Sequence, residues 1–577
     1  MNYVSYQLKQ INEHELKQFM KDSGITNVLA AKVLMNRGHS AELVKRMISE
    51  PESFYRDPKA VFGAEAAARK IIKHISKPRN KVYIFSDYDV DGITSMCLLK
   101  IFLEDFKMKT EIEIRIPERK EGYGLNIDYC EHVINDAYYS NEDKLVITVD
   151  NGISCVGQIN KLNEYGIETV IIDHHMPQKD FIPSASVICN PHMRSLNEET
   201  YEGQYLAGVA VVYKVCQCIN SFANEHSRVN LNDFLPFVAM GTISDMMELT
   251  PENMAIISRG LEELKEPSEE NRFKKLFQEI CRHINRKKIF YTHIAWQLAP
   301  MLNACGRIST PKIAAKLFLS YFDSADKIQD ALKEADNTNK LRKRKSTEAD
   351  IEVEKKYDFS KELICCCELK NTPEGILGQV ANRILERENK PVFVLKKNEE
   401  GLLAGSGRSP IDIVKILEDE KGKTVHFFAG HKSAFGIQIY PDKLKEFKQN
   451  VTEKIKALDI IKEEEKIIYI DSYIELEDIS LKNYHDVNII PQKDANKPIF
   501  AIKNLKIIEC IPSKNNPDNI KFFFSNGRRS AQVWGWGIKD KLNKLNSLDN
   551  ITVVCSFDAD FQNPNLGTIL IIDLFNE

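Results

Sequence analysis

Three aspartates alternate in IFSDYDVDGITS, at Asp87, Asp89 and Asp91, and Gly92 follows them. Further along, Asp150 closes KLVITVDNG, the triplet Asp173-His174-His175 closes ETVIIDHHMP, and Asp245 sits in the small-residue stretch GTISDMMEL. Carboxylates and imidazoles are ligands for divalent cations. D-x-D-x-D-G is also the opening of an EF-hand calcium loop. That loop needs a helix before it and a Glu at its twelfth position, where this chain has the strand-like KVYIFS and Leu98. Calcium held in that manner is excluded. Each cluster alone is ordinary, because an Asp after a strand is usually a cap or turn residue. What matters is that the same chemistry recurs after successive apolar runs. Gathered in one crevice, such carboxylates repel one another and need cations to neutralise them. Mixed Asp and His ligation suits Mn²⁺ or Mg²⁺ in a two-metal arrangement better than Ca²⁺ or a structural zinc. Two such ions clamp the attacking and leaving oxygens of a phosphoryl displacement. The residues read as a metal-dependent phosphoesterase.

Positioning them requires a wound α/β domain. KVYIF, EIEIRIP, KLVITVD, ETVIIDHH and ASVICNP are short β-branched strands separated by helical spacing, and open parallel sheets place ligands at the carboxyl ends of their strands. Before them, residues 1–76 read as a helical region, and the catalytic domain is expected over 77–324. A long charged helix with few apolar residues in its second half spans 325–358, as expected of a solvated connector. A second α/β unit is expected over 359–460, from ELICCCEL through GQVANRILERENK to the glycine-rich GLLAGSGRS. Residues 461–577 alternate strands with turns and read as a small β-barrel. The fold class is multidomain α/β.

At 577 residues, with 43% hydrophobic and 28% charged residues, the chain has the composition of a soluble protein of several domains. It shows no apolar run long enough for a membrane span and no secretory leader. The thirteen cysteines show no metal-ligand spacing and suit a reducing cytoplasm. A net charge of −4 argues weakly against nucleic acid, since acidic residues massed at a metal site mask a local basic groove.

In order along the chain, DYDVDG, VDNG, DHH and GTISD resemble the motifs of the DHH phosphoesterase superfamily. The larger series is similar to the RecJ family of single-strand-specific 5′→3′ DNA exonucleases. It includes NRGH, IPERKEGYGL, LAGVAV, LAPMLNACGRIS, ADNTN, EGILGQVANRILE, GSGRS and AGHKSAFG, and it covers nearly the whole chain. The resemblance implies a parallel-sheet DHH core, a connector helix, a DHHA1 domain and an OB-like barrel. It implies Asp89, Asp91, Asp150, His174 and Asp245 as ligands of two Mn²⁺ or Mg²⁺ ions, with Asp150 bridging them. Asp87 would stand at the site as a ligand or behind one, and His175 would face the scissile phosphate. Asp173 either orients the imidazoles or only accepts the hydrogen bonds of its turn.

The same resemblance implies a DNA-binding set of Arg119, Tyr123, Asn303, Arg307, Arg383, Ser406, Arg408 and His431. Arg suits this task because its planar donors match phosphate oxygens in pairs. The run KLRKRK reads as a solvated helix face, with a groove lining as the alternative, and Trp534 and Trp536 of VWGW read as barrel core ahead of base stacking. The chain departs from the family at Ala429-Gly430-His431, where Gly-Gly-His is usual, and at Ala434-Phe435-Gly436, where Ala-Ala-Gly is usual. The implied function is release of 5′-mononucleotides from single-stranded DNA with a free 5′ end. The setting would be cytoplasmic repair and recombination, as a monomer, with a single-strand-binding protein and a helicase as partners. Two readings compete: a phosphodiesterase of short oligonucleotides or cyclic dinucleotides, and a non-catalytic nucleic-acid-binding protein.

Overall fold

The structure, a computed structural model, describes residues 4–106, 110–122, 124–195, 202–225, 228–285, 289–457, 466–491, 497–514, 516–559 and 567–576. The chain forms two compact units. One comprises Met1–Lys70, Cys189–Gln297 and Glu464–Glu577, the other Ile71–Ile188 and Leu298–Glu463.

The second unit contains two sheets. In the first, β1 (Lys81–Ser86) lies between β2 (Glu111–Arg115) and β3 (Lys144–Val149), and β4 (Glu168–Ile172) and β5 (Val187–Cys189) extend it. The pairings of β1 with β2 and β3, and of β3 with β4, are all parallel. β1 and β3 are buried at every position, which is why they read as continuous apolar runs rather than alternating ones. After β1 the chain enters helix α1 (Val90–Asp105), buried from Val90 to Leu99.

Helix α2 (Ala299–Ile308) leads towards α3 (Ala325–Lys356), the long charged helix expected from the sequence. It is not a free solvated strut. Ala349 and Val353 of α3 share a core with Ile376, Leu377, Val380, Ala381 and Ile384 of α4 (Glu374–Glu388). Small Ala and β-branched Val at four-residue spacing give α3 a narrow apolar seam, which its overall charge conceals. The second sheet has the order β9-β10-β8-β7-β6, from β6 (Cys365–Glu368), β7 (Val392–Lys397), β8 (Leu403–Arg408), β9 (Val425–His431) and β10 (Ala434–Ile439). Its cysteines, Cys365 to Cys367, are buried strand residues.

In the first unit, the expected all-helical start is corrected: Val4–Leu8 is a strand paired in parallel with Lys466–Ile470. Its alternation fits a strand, and Tyr6 anchors it, donating a hydrogen bond to Asp573 at 2.6 Å and stacking on Phe575. The C-terminal strands β11 (Phe500–Pro512), β12 (Ile520–Ser525), β13 (Ser530–Gly535), β14 (Ile551–Ala559) and β15 (Gly567–Asn576) run in the order β11-β12-β13-β15-β14. β14 pairs back to β11 and closes the five-stranded barrel. Its core includes Phe522, Phe524, Val533 and Val553, packed with the N-terminal helices through Ala30, Ala31, Val33 and Leu34. Because Val533 faces in, Trp534 and Trp536 face out, stacked on each other at 5.8 Å, with Trp536 58% exposed. The core reading of the two tryptophans is therefore corrected; alternation placed them on one face, and that face is the outer one.

Candidate metal centre and phosphate cleft

The parallel order of β1, β3 and β4 brings three sequence-distant loops to one sheet edge. Asp87 leaves β1, and Asp89 caps α1, its Oδ1 accepting the Gly92 N–H at 3.1 Å. The tight strand-to-helix turn explains Gly92: a Cβ there would lie 2.7 Å from the Asp87 carbonyl oxygen. Asp150 follows β3 with φ 58°, a left-handed conformation that few residues other than Gly, Asn and Asp adopt, and its N–H donates to the Ile172 carbonyl at 2.9 Å. Asp173, His174 and His175 follow β4.

These residues converge. Oxygens of Asp87, Asp89 and Asp150 lie within 4.8 Å of one another, as do ligand atoms of Asp150, His174 and His175. His174 Nε2 is 3.2 Å from Asp150 Oδ1 and 3.8 Å from Asp91 Oδ2. Asp173 serves its turn and also holds one of the two imidazoles. Its carboxylate accepts the backbone N–H groups of His174, His175 and Ile153, and its Oδ1 also holds His175 Nδ1 at 2.8 Å. Burial alone would raise its carboxyl, but the His175 hydrogen bond, the charges of both histidines and the Ile153 N–H outweigh it and hold it at about 2.

Asp87 behaves in the opposite way. Burial and then the charge of Asp89 push its carboxyl well above the usual range, and its buried Oδ1 has no hydrogen-bond partner among the described residues. A buried carboxylate oxygen without a donor, among other carboxylates, fits a cation. The residues present therefore suit divalent ions with oxygen and imidazole ligands, and Asp87 is among the residues that could hold one. Asp245 is the C-cap residue of the helix Leu235–Ser244, in the first unit.

Also in the second unit is a cleft of about 520 Å³ lined by Tyr88, Arg119, Arg307, Ser406, Arg408 and the glycine-rich face of β8 to β10. The Arg119 guanidinium lies 5.3 Å from the centre of the Tyr88 ring. Arg408 is fixed by Asn382 Oδ1 at 2.7 Å and Ser406 Oγ at 2.8 Å. Burial and then Arg119 lower the Arg307 pKa, and burial and then Arg307 lower that of Arg408. Guanidinium groups keep their protons in proteins, so such crowding favours a bound polyanion. Gly375 lets α2 and α4 meet: a Cβ there would lie 2.1 Å from the Arg307 carbonyl oxygen.

Two of the expected contact residues also have partners within the chain. Asn303 Oδ1 accepts the Val90 N–H at 3.0 Å and supports the aspartate loop. Arg383 bonds Asp350 at 2.8 Å and Ser346 at 2.8 Å, joining α4 to α3. Tyr123 and the side chain of His431 lie outside the described residues; His431 is opposite Ala434 in β9. The solvated reading of KLRKRK holds for Lys340, Arg344 and Lys345, which pair with acids on their own helix. Arg342 differs: it is partly buried, bonds Gln379 Oε1 at 2.8 Å and Asn339 Oδ1 at 3.0 Å, and has its pKa lowered by burial, then by Arg307 and Arg383. The Asn339–Arg342 spacing of three was the available signal.

The model of the DHH family, N-terminal domain, matches residues 81–242, and that of the DHHA1 domain matches residues 362–457. The single-stranded-DNA-specific exonuclease RecJ of Bacillus subtilis is 28% identical over 535 residues, covering 91% of this chain and 64% of its own length. The chain thus spans just under two thirds of that relative. Two crystal structures of RecJ from Thermus thermophilus share the fold. The Mn²⁺ complex has a TM-score of 0.77 at 19% identity, covering 99% of this chain and 79% of that one. The Mg²⁺ complex has 0.72 at 18%, covering 100% and 80%.

Proposed function

We propose that this chain, a DHH phosphoesterase of the RecJ type, is a single-strand-specific DNA exonuclease that works from the 5′ end. The observation that carries the reading is the carboxylate and imidazole cluster at one sheet edge, in the same unit as a cleft lined by Arg119, Arg307 and Arg408. The N-terminal helices and the closed barrel favour a long strand over a dinucleotide, which needs neither.

Asp87, Asp89, Asp91, Asp150 and His174 would hold two divalent ions, Mn²⁺ or Mg²⁺, the ions of the two Thermus complexes. Asp245 joins them on the sequence resemblance. Bound there, such ions lower the pKa of an attacking water and neutralise phosphate oxygens. Arg119, Arg307 and Arg408 grip successive phosphates without reading sequence, with Ser406 beside them, and His431 is carried as a further contact from the resemblance. His175 is held by Asp173 through Nδ1, which orients the ring and leaves Nε2 to face the scissile phosphate as charge develops. The 3′-oxygen of the departing nucleotide leaves, giving a 5′-mononucleotide and a strand one residue shorter. A cleft of about 520 Å³ has room for a nucleotide or two of one strand.

Among the described residues, no helix is long and apolar enough to cross a membrane. Free cysteines, most of them buried, support a reducing cytoplasm as its place. A monomeric state, with a single-strand-binding protein and a helicase as partners, completes this reading. Asp150→Asn keeps the left-handed backbone that Asn tolerates. It is expected to retain folding by circular dichroism and to lose hydrolysis of single-stranded DNA. Wild-type turnover by this variant refutes the assignment, and preference for a dinucleotide over a long strand supports the competing phosphodiesterase reading.

A further inference from the structure

The second sheet is packed along one face; on the other, α4 covers β6 and β7, whose Cys365, Cys367, Val392 and Val394 join its core, and the β9–β10 end is left open. Phe435, Ile437 and Ile439 of β10 join the core on the packed face, and Val425 of β9 joins them. Simple alternation from Val425 would turn Phe427 into that core and Phe428 out. The pairing of β9 with β10 slips between Val425 and Phe427, a bulge that reverses the alternation. Phe428 then packs against the core, and Phe427 pairs with Gln438 on the cleft side, 48% exposed.

Beyond Gln438, which stands opposite Phe427, the cleft face is flat. Ala404 and Ser406 of β8, Ala434 and Gly436 of β10, and Ala429 of β9 carry nothing larger than a methyl or hydroxymethyl group. Arg408 stands at the far end, in register with Ala434. Two residues separate each cross-strand row from the next, about 7 Å along the strands. That is near the phosphate separation of an extended single strand. A large aromatic ring is thus turned out by a bulge onto a smooth surface that leads from a phosphate-binding arginine.

Resting on the proposed single-strand function, we propose that Phe427 stacks an unpaired base of the bound strand, one or two nucleotides beyond the phosphate held by Arg408. Stacking of this kind is tolerant of sequence, because every base has a π-face.

The test uses the full-length protein with excess chelator, to prevent turnover, and single-stranded oligonucleotides carrying 2-aminopurine at successive positions from the 5′ end. Fluorescence is expected to be quenched by stacking at one internal position. Phe427→Ala should abolish that quenching and weaken binding by roughly tenfold, whereas Phe427→Trp should retain both. With Mn²⁺ present, Phe427→Ala should raise KM on long strands and leave kcat unchanged. Quenching that survives Phe427→Ala, or a loss of kcat without a change in binding, overturns the stacking role. If the wild-type protein fails to degrade single strands and yet shows Phe427-dependent quenching, the exonuclease reading fails and the stacking site stands.

Discussion

At the scale of single residues, Asp87 and Asp173 show how neighbours decide what a buried carboxylate does. Asp173 is surrounded by donors and is held ionised, while Asp87 faces Asp89 and is pushed towards its protonated form. For Asp87 the folded-state pKa lies above the unfolded one. Its contribution to metal-free stability is therefore present at low pH and is lost as pH rises through that raised value. Divalent cations displace the proton, so Mn²⁺ should raise the melting temperature more at pH 8 than at pH 5, measured by calorimetry. Asp87→Asn should stabilise the metal-free protein, remove much of the gain on adding Mn²⁺, and lower kcat by roughly 10³-fold. For Asp173 the sign reverses: its contribution is full above about 3.8 and is lost as pH falls towards about 2. Asp173→Asn should cost about 10- to 100-fold in kcat, because His175 loses the carboxylate that orients it.

Elements set where these residues stand, and here the sequence was legible in part. Runs such as KVYIFS and KLVITV read as buried parallel strands because, after the leading lysine, no charge interrupts them, so the convergence of Asp87, Asp150 and His174 could be anticipated. Features that depend on one residue of register could not. The bulge that turns Phe427 outward and the direction of the barrel face bearing Trp534 leave no mark on hydrophobic pattern. The apolar seam of α3 is built from Ala and Val, too small to register against its charge. Asn303 supports α1 through a contact distant in sequence, which no local signal reveals. Helix contact makes its own prediction. In Gly375→Ala the new methyl meets the Arg307 carbonyl and forces α2 from α4. The expected loss is about 1–3 kcal/mol by denaturant melts, together with weaker binding of single-stranded DNA.

At the scale of the whole molecule, charge is the property that composition hides. The chain carries a net −4, yet its cleft concentrates guanidinium groups while the acids gather at the metal centre. Binding of a single strand should therefore weaken with salt, with a log–log slope reduced by about 0.7 for each phosphate contact removed, Arg408→Ala being the test. The central claim is stepwise, metal-dependent hydrolysis from one end. The most direct measurement is digestion of single-stranded DNA labelled at the 5′ or the 3′ end, with Mn²⁺ and with chelator. The account predicts that Mn²⁺ releases the 5′ label at once as a mononucleotide and the 3′ label only late, and that chelator stops both. Early release of the 3′ label, internal fragments, or cleavage that persists in chelator would contradict it.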